Sequence, residues 1–515
     1  MRTHSYILIC IFSFSTYLWG QSYDTNWKGY FSFLNIKKVV QAENKFYAAS
    51  ENALFSYDNQ NNQLNTITTV NGLSGELIST LHYSYEYQLL LIGYENGLIE
   101  VYSESDQEIL KVVDIINKVT IPPSQKKINH FNEFNSLIYI ATDYGISVYN
   151  LEGLEFGDTY YIGSNGSQIP VTQTAIFNNE IYASCRSNNG IKKANLSNSN
   201  LTDFQLWSSI TTGNFESVIV SASSIYAVNS SNTIFEINGI TLNTLFNFSQ
   251  PVVEINTSET TLLVTTNSKV YQYVSGFNLV NTYSLPTELN TLFTCALIIG
   301  TDVYIGTKNH GILKPDSLAV FGYEEIHPDG PLKNTPFSLT YEYGNLWVTF
   351  GEYSIFFNPS PSRNYGISSY VDMNWHNTTY DSIQQATSKT VSNLNAISVN
   401  PLNPDQVFVS SFSHGLLNFQ KDESITLLDE SNSSLESLVL PGSPNYKSIR
   451  ISGSTFDSDG NLWVLNSKVD NALKKFNPSS SSWISYDFSN IISDPINEEL
   501  GFSEVVTGSG QTKWI

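Results

Sequence analysis

The chain reads as all-β, built from a repeated four-stranded unit, and three observations carry that reading. Charged residues make up only 14% of 515 and aromatic residues 13%. Tyr, Phe, Ile, Val and Thr favour strands, while Asn, Ser, Asp and Gly favour turns. The stretch LLIGYENGLIEVY at residues 90–102 sets two short apolar runs about an Asn-Gly, a strong hairpin signal. The same phrase then returns at intervals of roughly 40–45 residues, the period of a four-stranded propeller blade.

Taken in order, the elements begin with a leader. Arg2 and His4 precede an apolar run over 6–18 and a small-residue cleavage point at Gly20-Gln21, the pattern of a secretory signal peptide over 1–20. Cys10 lies inside the apolar run after Ile9, which does not suit a lipoprotein cleavage site. Next comes NWKGYFSF at 26–33, which is similar to SSWISYDF at 481–488. It is expected to supply, through Trp27–Phe33, the outer strand that closes the first ring.

Hairpin copies follow from Lys45, Leu90, Ile138, Ile181, Ile225, Leu262 and Val303, seven in all. Each is expected to form strands two and three of a blade, after an inner strand such as ISTLHYS (78–84) and before an outer one such as EILKVVDI (108–115). The turn positions hold Asn96-Gly97, Tyr144-Gly145, Asn189-Gly190, His310-Gly311 and His414-Gly415, where φ > 0 is cheap for Asn and Gly. His310 and His414 therefore read as turn residues and not as a metal pair. After Pro315 the copies change: NLWVTFGEYSIFFN from Asn345, QVFVSSFSHGLLNF from Gln406 and DGNLWVLNSKVDNALKKFN from Asp459. Their wider spacing implies longer loops. A last copy, GQTKWI, runs to Ile515 inside a second strand. The expected architecture is a seven-bladed β-propeller over 21–325, then a second, truncated propeller of regulator type over 326–515, about three and a half blades.

Chemistry is sparse. The net charge of −22 carries no basic run, which argues against nucleic acid and bare anionic membrane as partners. Past the leader, no stretch reaches the ~18 apolar residues of a transmembrane segment. Cys185 and Cys295 lack metal-ligand spacing and read as buried apolar side chains rather than a disulfide. Asp457-Ser-Asp-Gly-Asn reads as a tight turn, because the chain turns apolar from Leu462 where a calcium loop needs further carboxylates. No G-x-S-x-G, H-E-x-x-H, P-loop or dinucleotide fingerprint is present. Glu324, Glu325 and His327 read as a solvated linker, and Lys126-Lys127 after Pro122-Pro123 as a solvated turn. Tyr83, Tyr85 and Tyr87 alternate near the end of an inner strand, where they either pack or line a channel mouth suited to a sugar. The inner strands hold no shared Asp, His or Arg, so no catalytic, cofactor or metal residues are assigned, and binding residues stay open.

The wording of the first blades is more specific than a generic propeller. YFSFLNIKKVVQAENKFYAASENALFSYD, GLSGELIST, LLIGYENGLIEVY, VVDIINKVTIPPSQKKINHF and YIATDYGISVYNL resemble the PorZ family of the type IX secretion system of Bacteroidetes. The resemblance is strongest over 27–151. It implies two seven-bladed propellers and a C-terminal β-sandwich sorting domain, the latter expected beyond Ile515 of what looks like a fragment of a longer product. It also implies a non-catalytic place at the cell surface beside the sortase PorU, with PorV and PorQ, delivering anionic lipopolysaccharide for cargo anchoring. Two other readings compete: the sensor region of a hybrid two-component regulator, which requires a downstream membrane helix and kinase, and a propeller lyase or glycosidase, which requires channel carboxylates or basic residues.

Overall fold

The computed structural model describes residues 28–515 except 259, 421–423, 441, 444, 499, 502–503, 509 and 511; the leader lies outside them. Among the described residues the chain forms ten four-stranded antiparallel sheets and one two-stranded sheet. In each four-stranded sheet the strands lie in chain order, the meander of a propeller blade. Sheets 1–7 begin with the strands Lys38–Ala42, Ile78–Ser84, Ile128–Phe134, Val171–Phe177, Phe215–Ser221, Val252–Ser258 and Phe293–Ile299. Sheets 8–10 begin with Ser338–Glu342, Leu394–Val399 and Ile451–Phe456, and Val506–Thr507 pairs with Lys513–Trp514. The first strands of sheets 1–7 touch their neighbours in chain order, and the first strand of sheet 7 touches that of sheet 1.

The repeated phrase does supply strands two and three. In sheet 2 they are Leu89–Tyr94 and Ile99–Ser103, paired Leu90 to Tyr102 and Gly93 to Ile99. All five turn glycines have positive φ, from 60° at Gly311 to 148° at Gly145. A hydroxyl at the end of strand two braces several of these turns. His310 donates its amide to Thr307 Oγ1 at 2.9 Å, and His414 donates to Ser411 Oγ at 2.9 Å. Second and third strands are mostly buried, whereas fourth strands face water, as in Asn278–Ser284, where only Tyr283 is partly covered.

A second repeated device joins one sheet to the next. In sheets 2–7, 9 and 10 the pairing of strands one and two slips by one residue near the start of strand one. The residue left over at this bulge is small and polar in most of them, and its side chain crosses to the following sheet. Ser79 Oγ donates to Ile128 O at 2.6 Å, Asn129 Nδ2 to Val171 O at 2.8 Å and Thr172 Oγ1 to Phe215 O at 3.1 Å. In the later sheets Asn395 Nδ2 donates to Ile451 O at 3.1 Å, and Ser452 Oγ to Gly501 O at 2.8 Å.

Three expectations need correction. Residues 28–33 form no outer strand; that place in sheet 7 belongs to Tyr323–Ile326, paired with Ile312–Pro315. The seam between sheets 1 and 7 closes instead by packing. Phe33, Ile36, Phe46 and Phe55 bury against Cys295, Tyr304 and Ile312, with Ile36 N–H on Thr307 O at 2.8 Å. The preceding residues lie on sheet 8, where the Tyr30 hydroxyl meets that of Tyr370 at 2.6 Å and Ser32 N–H donates to Asn334 Oδ1 at 2.7 Å. Second, Glu324 and Glu325 belong to that outer strand and not to a linker; a strand facing water accepts carboxylates. Third, YSIFFN does not complete a hairpin. Strand three of sheet 8 is Ile367–Val371, and the intervening loop turns Ile355 and Phe356 outward while Tyr353 and Phe357 pack on Phe412. One short helix, Tyr380–Thr387, accompanies the sheets of this all-β fold, capped by the Thr379 hydroxyl and anchored by buried Ile383.

Candidate functional site at the axis of the first seven sheets

Two cavities meet where the first strands converge. The larger, about 510 Å³, is lined from sheets 1, 2, 3, 6 and 7, including Lys38, Gln41, His82, Tyr83, Tyr85, His130 and Asn256. The other, about 230 Å³, draws residues from all seven sheets, including Lys37, Lys127, Arg186, Glu216 and the bulge residues Ser79, Asn129 and Thr172. Both are lined by Lys38 and His130, which mark the waist between them.

Several charges in this axis are paired. Lys38 Nζ contacts the Glu254 carboxylate; burial works against its ammonium, but the adjacent Glu254 charge prevails and its pKa is raised. Glu254 also accepts the Ala296 N–H at 3.0 Å, tying sheets 1, 6 and 7 together. His82 Nε2 lies 2.8 Å from Glu133 Oε2, and Ser84 Oγ donates to Glu133 Oε1 at 2.8 Å. Burial raises the Glu133 pKa, but these two hydrogen bonds and the His82 charge outweigh it and hold it low. Ser, His and Glu thus stand together without the order of a nucleophilic relay, because the hydroxyl donates to the carboxylate rather than to the imidazole. At the narrower mouth Arg186 holds Glu216 at 2.6 Å, and Lys127 lies 3.2 Å from Glu95.

His130 differs from the rest. Burial, then the charges of Lys38 and His82, push its pKa well below the ordinary histidine value, so the ring is neutral. The side-chain amide of Gln173 lies 3.4 Å from its Nε2. Among the described residues Nδ1 is buried without a hydrogen-bond partner, and so is Asn132 Nδ2 two residues along the same strand.

The residues singled out in the sequence fall into separate places. Tyr83 and Tyr85 line the larger cavity, edge to face at 5.2 Å, with Tyr83 buried and Tyr85 56% exposed. Tyr87 packs instead beneath sheets 2 and 3. Lys126 is not solvated: it is buried and its ammonium binds the Ile116 carbonyl, while Lys127 reaches the narrow mouth. His310 Nδ1 lies 3.0 Å from Glu325, with His327 4.0 Å beyond, away from the axis. His414 lines a cavity of about 340 Å³ beside the Lys389–Asp429 pair, and burial lowers its pKa. Cys185 and Cys295 are free and buried, each thiol pushed up to about 12 by desolvation. No described helix is long and apolar enough to cross a membrane. The axial residues escaped the sequence reading because each sheet contributes a different side chain, so the repeat carries no shared letter there.

The family wording also has a structural meaning. Glu100, fully buried in LLIGYENGLIEVY, accepts the Tyr94 hydroxyl from its own hairpin and the Ser74 N–H of GLSGELIST at 3.0 Å. The two quoted motifs are one hydrogen-bonded unit.

Comparison with known proteins follows the same line. Residues 46–208 match the family model described as TSS9, PorZ, N-terminal beta-propeller domain. Among solved structures the chain is similar to PorZ of Porphyromonas gingivalis, an essential bacterial surface component of the type-IX secretion system, at 17% identity and a TM-score of 0.79. The alignment covers 95% of this chain and 63% of that one, so the chain spans under two thirds of that relative. Raptor of Chaetomium thermophilum matches at 14% identity, 55% and 28% coverage and a TM-score of 0.44. The designed Ika8 protein matches at 11%, 55% and 96% coverage and 0.39; these last two scores are too low to carry an argument. No curated protein sequence matches. Residues 46–208 thus match the model of the PorZ N-terminal β-propeller domain, and the chain shares the fold of PorZ over 95% of its length.

Proposed function

We propose that this protein is a non-catalytic component of the type IX secretion system, acting at the cell surface in the complex that anchors secreted cargo. The observation that carries the reading is the family match over 46–208, joined to a likeness of fold that extends far past it. In this reading residues 21–325 form a seven-bladed propeller and 326–515 part of a second. The leader over 1–20 directs export, and the protein assists the sortase PorU, beside PorV and PorQ, by binding or delivering anionic lipopolysaccharide. The physical logic is that a rigid ring displays loops on two broad faces, and partners bind such faces without a deep pocket. Cells lacking the protein are expected to make type IX cargo but to leave it unprocessed and unanchored; the check is the cargo's size and location by immunoblot of cell and medium fractions. Normal processing overturns the proposal. Co-purification with the sortase tests the partner assignment directly.

A further inference from the structure

We propose that the larger axial cavity binds an uncharged sugar ring, with Tyr85 as its stacking platform. The cavity, about 510 Å³, falls within the roughly 300–1,000 Å³ typical of small-molecule sites. At its mouth Tyr85 is 56% exposed, held on edge by buried Tyr83, which itself stacks on Tyr47 at 6.2 Å. A half-exposed aromatic braced in this way offers an apolar face to the C–H side of a sugar. Around it stand Gln41, Asn256, Thr257 and Ser258, groups able to meet hydroxyls.

The charge state of the cavity selects against an ion. Lys38 is taken by Glu254 and His82 by Glu133, so among the described residues neither of these lining groups is left to balance a bound anion. Neutral hydroxyls can instead meet the uncharged amide of Gln41 and the hydroxyls of Thr257 and Ser258. This site is independent of the lipopolysaccharide reading above, which calls for an anionic ligand.

The test is ligand-observed NMR titration of the full chain with glucose, galactose, mannose and N-acetylglucosamine, and in parallel with glucuronate. At least one neutral sugar should bind saturably at or below about 50 mM. Tyr85→Ala and Gln41→Ala should each weaken that binding about fivefold or more with the melting temperature unchanged. Tyr341→Ala, at an exposed tyrosine in sheet 8, should leave it intact. The proposal is overturned if no neutral sugar binds in that range, if both cavity variants bind as the parent does, or if glucuronate binds about tenfold tighter than every neutral sugar.

Discussion

Both oxygens of the Asp457 carboxylate are occupied inside one turn. Oδ1 accepts the Asn461 N–H at 2.9 Å and the Asp459 N–H at 3.1 Å, and Oδ2 accepts the Trp463 indole N–H at 2.8 Å. Burial pushes the carboxyl pKa up, but those donors, the Trp463 indole foremost, outweigh it and hold the group below the ordinary aspartate range. The sign follows: a folded pKa below the unfolded one adds stability above about pH 3.9, and that stability is lost as the pH falls toward the folded value. Asp457→Ala should cost about 2–3 kcal/mol in urea denaturation near neutral pH and flatten the acid limb of the stability profile below about pH 4. The tight turn itself was legible from Asp and Gly spacing; the indole partner was not, because Trp463 lies in the apolar strand after the turn and reads there as a packing residue rather than a donor. Lys126 shows the same limit. Two adjacent lysines after Pro-Pro read as solvated, yet the chain folds back and one of them is buried on the Ile116 carbonyl.

At the scale of elements, the hairpins were readable because a two-residue turn constrains both φ and composition. The outer strands were not, because strands in contact with water lose apolar alternation. Tyr323–Ile326 looks like an acidic linker and is a strand, while residues 28–33 look like a strand and instead lie against sheet 8 through Tyr30. The bulges carry a weak mark in the sequence, at Ile-Ser 78, Ile-Asn 128, Val-Thr 171, Leu-Asn 394 and Ile-Ser 451: one apolar residue, then one short donor. Those side chains cross between sheets, so they bear on how sheets associate rather than on how each one forms. Thr172→Val keeps the shape and removes the donor to Phe215 O. It should cost about 1–2 kcal/mol, since the carbonyl stays buried, with the loss seen as faster amide hydrogen exchange along the border of sheets 4 and 5.

For the whole molecule, the repeat was legible in the sequence, but the way sheets 1 and 7 meet was not, since a seam made of side chains leaves no pattern. Phe46 is fully buried there, 4.8 Å from the Tyr304 ring. Phe46→Ala should destabilise by about 3–5 kcal/mol, whereas Val280→Ala on an exposed outer strand should change stability by under about 0.5 kcal/mol, both measured by thermal melting. The seam also sets an order in time. A chain made from its N-terminus has residues 45–58 long before Tyr304 and Ile312 exist. Sheet 1 must therefore wait, with Phe46 and Phe55 uncovered, until some 250 further residues have emerged. During that interval the nascent chain offers a sticky apolar face to any holding factor, and the last of the seven sheets to be synthesised is the one that hides it.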